Sequence, residues 1–254
     1  MTHHPRKRFG QHFLHDRGVI DKIVAAIAPA SQDAMVEVGP GLGALTAPLL
    51  DRVARLHAIE VDRDLASRLA AAHDPTRLIV HRGDVLHFDF DELPDRLRVV
   101  GNLPYNVSTP LLFHLIPHAA RLRDLHFMLQ REVVDRMVAA ASTPDYGRLS
   151  IMLQHQFDMR KLFEVKAGAF RPPPKVDSAF VRMLPKPISA LRARDAAMFA
   201  RVVTTAFTKR RKTLRNALDG VIDEAALRAL GIDPSLRPEN LALGDYVAIA
   251  NAIS

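Results

Sequence analysis

Apolar residues at Val19, Ile20, Ile23, Val24 and Ile27 recur at helical spacing behind Asp16, which is placed to cap a first turn, and Pro29 closes the segment. The period then shortens. Met35-Val36-Glu37-Val38 reads as a short buried strand running into Gly39-Pro40-Gly41-Leu42-Gly43, with a helix to about Leu50. Further strands are expected at 56–61, 78–81, 97–101 and 125–129, the last followed by a helix from about Glu132. Before that last strand, Ser108 or Thr109 is expected to cap a helix with Pro110 at its first position. Strands alternating with helices at this spacing specify an α/β fold with a doubly wound parallel sheet. Residues 178–184 make an expected edge strand, and Pro185 and Pro187 then punctuate the chain. Beyond them the pattern is all helical. Phe199, Val202, Val203 and Ala206 form one stripe, Leu227 and Leu230 belong to a second helix, and Val247, Ile249 and Ala250 to a third. The expected division is a sheet domain over 1–187 and a smaller C-terminal helical domain over 188–254.

With 254 residues the chain can bury a sizeable core. Its 35 Lys and Arg against 28 Asp and Glu give a net charge of +7, which favours a polyanionic partner such as nucleic acid. There is no Cys, and the His residues show no ligand spacing, so neither a disulfide framework nor a metal site is expected. Arg6, Lys7 and Arg8 are not followed by an apolar leader segment, and no run approaches the roughly 18 apolar residues of a membrane span. A soluble cytoplasmic protein is the expectation, and nothing demands more than a monomer.

The glycine-rich turn after the first strand suits a nucleotide, because backbone can approach the ligand closely there. Alone it is ambiguous. Gly39-x-Gly41-x-x-Ala44, with Glu60 and Asp62 about 20 positions on, also satisfies the dinucleotide fingerprint. Both NAD(P) and S-adenosylmethionine (SAM) are therefore admitted, and Glu60 is where a carboxylate takes ribose hydroxyls in either case. Three features favour SAM. Glu37 extends the loop to Glu-x-Gly-x-Gly-x-Gly; Gly83-Asp84-Val85 follows the third strand, where Asp84 can accept from an adenine amino group and the backbone at Val85 can serve the ring nitrogen; and Asn102-Leu103-Pro104-Tyr105 ends the fourth. All these groups fall at the carboxyl edge of one sheet, where such folds bind ligands.

The tetrapeptide itself suits methylation of an exocyclic nucleobase amine, whose lone pair is delocalised into the ring. The Asn102 carboxamide oxygen and the Leu103 carbonyl can each accept one N–H and so aim the lone pair. Pro104 stiffens the backbone, and Tyr105 offers a flat face for an extruded base. Read alone, the same four residues also describe an ordinary strand-ending turn.

Taken with its neighbours the tetrapeptide is specific. Arg8-Phe-Gly-Gln-His-Phe-Leu14, the 37–43 loop, Glu60, Asp84, the 102–110 segment, Tyr146-Gly-Arg-Leu-Ser150, Phe170-Arg-Pro-Pro-Pro-Lys-Val-Asp-Ser178 and Arg210-Arg-Lys-Thr-Leu-Arg215 occur in that order. The chain thereby resembles, nearly end to end, the bacterial small-subunit branch of the ribosomal RNA adenine dimethyltransferases. The resemblance implies a Rossmann-like methyltransferase sheet and SAM held by His12, Leu14, Gly39, Gly41, Glu60 and Asp84, with Asn102 near the methionine end. It also implies that Phe170 completes the base stack with Tyr105, and that two adjacent adenosines in the 3′-terminal hairpin of 16S rRNA, within the immature 30S subunit, each receive two methyls. Position 12 is often Asn in that family and is His here. Lys209, Arg210, Arg211, Lys212 and Arg215, five cations in seven positions, and the basic N-terminal arm are candidate RNA contacts. Two other readings remain at this point: a ribosome-assembly factor whose main work is to occupy the immature subunit, and, on the glycine fingerprint alone, an NAD(P) oxidoreductase.

Overall fold

The computed structural model describes residues 11–190 and 192–254; Arg6, Lys7 and Arg8 lie outside the described residues. Along the chain the first elements are β1 (Phe13–Leu14), α1 (Arg17–Ile27), β2 (Met35–Val38), α2 (Thr46–Leu50), β3 (Leu56–Glu60), α3 (Arg63–Ala72) and β4 (Leu78–Arg82). They are followed by β5 (Leu97–Asn102), α4 (Tyr105–His114), β6 (Leu122–Gln130), α5 (Arg131–Val138), α6 (Arg148–Gln156), β7 (Phe157–Val165), β8 (Phe170–Arg171) and β9 (Ser178–Pro185). The large sheet has the order β4-β3-β2-β5-β6-β9-β7. Its first five strands run parallel, and β2 and β5 lie at the centre of that run, which is why their sequences are nearly continuous apolar runs.

Two expectations are corrected. The 178–184 strand is not an edge: β9 pairs antiparallel with β6 on one side and neighbours β7 on the other. The edge belongs to β7, whose Asp158, Arg160, Lys161 and Glu164 keep it soluble and hide its apolar alternation. Helix α4 starts at Tyr105, behind Pro104, and not at Ser108 or Thr109. The Ser108 hydroxyl donates to the Pro104 carbonyl at 3.0 Å instead of capping, and Pro110 lies inside the helix at the cost of one backbone bond. A separate two-stranded ribbon pairs β1 with β8, placing Phe13 opposite Arg171 and Leu14 opposite Phe170.

The amino ends of the central strands are tied by one buried cation. Arg98 donates from Nε to both oxygens of Asp124 at 3.0 and 3.1 Å, and from Nη1 to Asp33 at 2.6 Å. The same guanidinium reaches the carbonyls of Ile27 at 2.5 Å and Ala28 at 3.2 Å. Those carbonyls end α1, where Ala28 adopts a left-handed φ of 48°, a conformation a non-glycine residue holds only with compensation.

The chain divides into two compact units. One runs to Val134 and resumes at Met159–Pro185; the other comprises Asp135–Asp158 and Lys186–Ser254. A single cut after 187 does not describe this division, because Tyr146 and Ile151 share a core with Phe199, Val202 and Tyr246. The second unit adds α7 (Ala196–Thr208), α8 (Leu214–Ala217), α9 (Glu224–Ala229) and α10 (Leu243–Ala252). Asp195 caps α7 by accepting from Ala197 and Met198, and the stripe from Phe199 to Ala206 is buried as its spacing requires. The basic run begins as α7 ends, so Arg210, Arg211 and Lys212 occupy a turn and not a helix face. Arg210 is held by Glu239 at 2.6 Å and the Pro144 carbonyl at 2.8 Å, and Arg215 by Glu224 at 3.2 Å, while Arg211 and Lys212 are exposed. Among the described residues no helix is long and apolar enough to cross a membrane.

Removing Arg98 takes the shared guanidinium from two buried carboxylates, of which Asp33 keeps Arg123 and the Ala30 amide and Asp124 keeps His126 at 3.3 Å. Arg98→Met is expected to destabilise the protein by about 3–5 kcal/mol in urea unfolding at pH 7. Burial pushes Asp33 and Asp124 up, but the guanidinium and neighbouring donors outweigh it and hold both below the ordinary carboxylate range. The stability they contribute is present above about pH 4 and is lost as pH falls through their lowered values. The gap between wild type and variant should therefore narrow below that pH.

Candidate active site

Every residue singled out from the sequence as a catalytic or donor-binding candidate lines one cleft at the carboxyl ends of the parallel strands. Two glycines in and beside it cannot be replaced freely. Gly41 has a φ of +60°, and a Cβ there would meet the Phe13 ring at 3.2 Å. Gly101 allows a closer approach still: a Cβ would lie 2.5 Å from the Val38 carbonyl oxygen. Its absence lets the end of β5 close against the end of β2, so Gly39 and the Asn102–Tyr105 segment share one rim.

The cleft is acidic inside a basic chain. Glu37, Glu60 and Asp84 line it, and among the described residues no Lys or Arg does. Glu60 accepts from the Gly41 amide at 3.0 Å and from the Asp62 amide at 2.9 Å. Burial raises its pKa, and those two donors oppose the rise. Asp84 accepts from the Leu86 amide at 3.0 Å, which fixes the turn that carries Val85. Glu37 accepts from the Thr46 hydroxyl at 2.6 Å; burial, with the Glu60 charge adding to it and that bond opposing it, pushes its pKa up to about 7.

These groups decide between the two donors the glycine loop admits. A dinucleotide needs positive potential at its diphosphate, usually from a helix that starts at the glycines. Here α2 starts at Thr46, beyond Gly43, is five residues long, and the lining charges are carboxylates. Ribose hydroxyls and a sulfonium cation suit that lining; a diphosphate does not.

The other half of the cleft follows β5. The Asn102 amide nitrogen donates to the His12 carbonyl at 3.2 Å, and the Leu103 amide to the Met128 carbonyl at 3.1 Å. The Tyr105 ring lies 5.5 Å from the His12 ring, and its hydroxyl is 3.4 Å from Ser178 Oγ. His12 Nδ1 donates to the Pro172 carbonyl at 2.8 Å. Phe170 lines the cleft but is only 2% exposed and belongs to the sheet's hydrophobic core, so it presents a floor and not an open stacking face. Leu14, its partner across the ribbon, is buried with it. The contributions of Phe13, Ser178 and the Pro172 carbonyl escaped the sequence reading, since each meets its partner only through the β1–β8 ribbon or the neighbouring β9.

A family model described as ribosomal RNA adenine dimethylase matches residues 2–254. The chain belongs to that family. It is 58% identical to the ribosomal RNA small subunit methyltransferase A of Aromatoleum aromaticum, over 99% of this chain and 95% of that one. It is 59% identical to the protein of the same name in Thiobacillus denitrificans, over 97% of each. Among solved structures, a dimethyladenosine transferase from Plasmodium falciparum superimposes with a TM-score of 0.81 at 26% identity, covering 94% of this chain and 96% of that one. The 23S rRNA methyltransferase ErmE shares the fold, with a TM-score of 0.71 at 24% identity over 95% and 99% of the two chains. As an rRNA adenine dimethylase the protein is a SAM-dependent methyltransferase, in agreement with the cleft's carboxylates.

The close approach at residue 101 has a measurable signature in this dimethylase. Gly101→Ala should destabilise by about 1–3 kcal/mol, because backbone must shift to admit the methyl. Gly83, which lines the cleft, has open space where a Cβ would go, with nothing within 4 Å. Gly83→Ala should be neutral within about 0.5 kcal/mol. Urea unfolding of both variants makes the comparison.

Proposed function

We propose that this enzyme dimethylates N6 of two adjacent adenosines in the 3′-terminal hairpin of 16S rRNA, four transfers in all, acting as a monomer on the immature 30S subunit in the cytoplasm. The observation that carries the mechanism is the direction of the Asn102 amide. A carbonyl can only accept, so the bond to the His12 oxygen identifies the Asn102 atom as nitrogen and leaves its oxygen as the acceptor. That oxygen and the Leu103 carbonyl each take one N–H of the adenine amine, which pulls its lone pair out of conjugation and aims it. Pro104, ahead of the first turn of α4, holds the Leu103 carbonyl in place. Tyr105 stacks on the extruded base, and Phe170 closes the slot from below.

His12, Leu14, Gly39, Gly41, Glu60, Asp84 and Val85 hold the donor: Glu60 takes the ribose hydroxyls with its remaining lone pairs, and Asp84 with the Val85 backbone takes the adenine. Bound SAM supplies an electrophilic methyl, so the chain itself needs no nucleophile. After the first transfer the amine retains one N–H, and the slot must admit a methyl where the second hydrogen bond was. Support for the small-subunit substrate comes from the names carried by the curated relatives. The exposed Arg211 and Lys212 supply phosphate contacts that position RNA without reading sequence.

Labelled methyl transfer to small subunits lacking the modification, followed by digestion and nucleoside mapping, tests the substrate. Dimethyladenosine at two neighbouring positions is expected; methyls only in large-subunit rRNA would contradict it. Asn102→Ala should lower turnover by at least about a hundredfold while SAM affinity stays within a few-fold. Unchanged turnover would remove Asn102 from the mechanism. An Asn102→Ala enzyme that still binds immature subunits and still supports their maturation would favour the assembly-factor reading.

A further inference from the structure

The donor contacts proposed above leave out one acid that lines the same cleft. Glu37, on β2, is 2% exposed, and its hydrogen-bond donor is the Thr46 hydroxyl at 2.6 Å. Glu60 beside it is held by two backbone amides, at 3.0 and 2.9 Å. Of the two neighbouring acids, Glu60 is thus the better supported as an anion, and Glu37 is the one on which a proton is least costly. Few other charges are available to change this. Glu60 on β3 is like-charged, α2 offers Thr46, the end of β5 offers the neutral Asn102, and Asp84, His12 and the Tyr105 phenol, which burial pushes up and so keeps neutral, complete the titratable lining among the described residues. No Lys or Arg among the described residues faces the cleft.

A ligand that carries net positive charge into this lining reverses the balance, and a neutral one does not. SAM carries a sulfonium, an ammonium and a carboxylate, net +1. Transfer moves the methyl to N6 and leaves both electrons of the broken bond on sulfur, now a neutral thioether, so the product is net zero; the surplus N6 proton goes to solvent. We propose that Glu37 is the counter-charge that distinguishes methyl donor from spent product: it releases its proton to solvent when SAM binds and takes one back once the sulfur is neutral. This rests on the reading that the cleft holds SAM, and it assigns Glu37 a positioning role in the donor's electrostatics, not contact with the reacting atoms. The elevated pKa of the free protein, from burial first and then the Glu60 charge, agrees with a protonated resting state near neutrality.

Calorimetric titration of the full-length enzyme with SAM and with S-adenosylhomocysteine at pH 6.0, in two buffers of different ionisation enthalpy, counts the protons exchanged. At that pH an α-ammonium with an ordinary pKa of about 7.7–8.0 stays charged in both ligands. SAM binding should release close to one proton and strengthen almost tenfold per pH unit between pH 5.5 and 6.5. The product should release none. Glu37→Gln should bind both ligands with no net proton exchange. Thr46→Val, which leaves the carboxyl but removes its donor, should move the midpoint of the SAM pH dependence upward, so the test survives if the Gln variant does not fold. Equal release with both ligands, no release with SAM, or release that persists in Glu37→Gln overturns the proposal. Binding of neither ligand by the wild-type enzyme instead overturns the donor assignment on which it rests.

Discussion

The end of β5 passes so close to the end of β2 that residue 101 has no room for a Cβ, which would sit 2.5 Å from the Val38 carbonyl oxygen. That approach determines much of the site. It brings the glycine loop that follows β2 alongside the Asn102–Tyr105 segment that follows β5, so the proposed donor and base subsites lie on one rigid edge. The arm then closes the arrangement: the Asn102 amide nitrogen takes the His12 carbonyl, and β1 pairs with β8 to bring Phe170 under the slot. One amide thus anchors the arm through its nitrogen, and its oxygen is the atom proposed to receive the substrate.

The opposite end of the same strand is fixed by a different means. Arg98, second in β5, holds Asp33, Asp124 and the last carbonyls of α1 in one buried network. An ion network of this kind contributes little if replaced whole, but it is costly to break in part. It therefore pins β5 in register at one end while the other end carries chemistry. The charge layout has the same economy. A chain of net +7 favours polyanionic RNA at long range, while the cleft itself is lined by three acidic residues and, among the described residues, by no Lys or Arg.

Much of this is legible in the sequence. Asp16, the 35–38 strand and the Phe199 stripe announce themselves by capping chemistry and apolar period, and they fold accordingly. The glycine loop, Glu60, Asp84 and the tetrapeptide share a cleft because a parallel sheet delivers successive strand ends to one edge. What is hidden has particular causes. β7 is an edge strand whose charged residues mask its alternation, and that concealment lets β9 pass for the edge. Pro110 resembles a helix start, but Pro104 already provides one. The grouping of 135–158 with the C-terminal helices depends on long-range packing around Tyr146 that no local pattern encodes. The same holds for His12 and Pro172, whose contact joins residues 160 positions apart.

The central claim is that the Asn102 oxygen and the Leu103 carbonyl together receive the target amine. A crystal structure of the enzyme with a non-reactive SAM analogue and an adenosine-containing RNA hairpin tests it most directly. The account predicts the N6 nitrogen within hydrogen-bond distance, about 2.7–3.2 Å, of both oxygens, with the base against Tyr105. An N6 held by any other pair of acceptors, or a base seated outside the Asn102–Tyr105 rim, would contradict it.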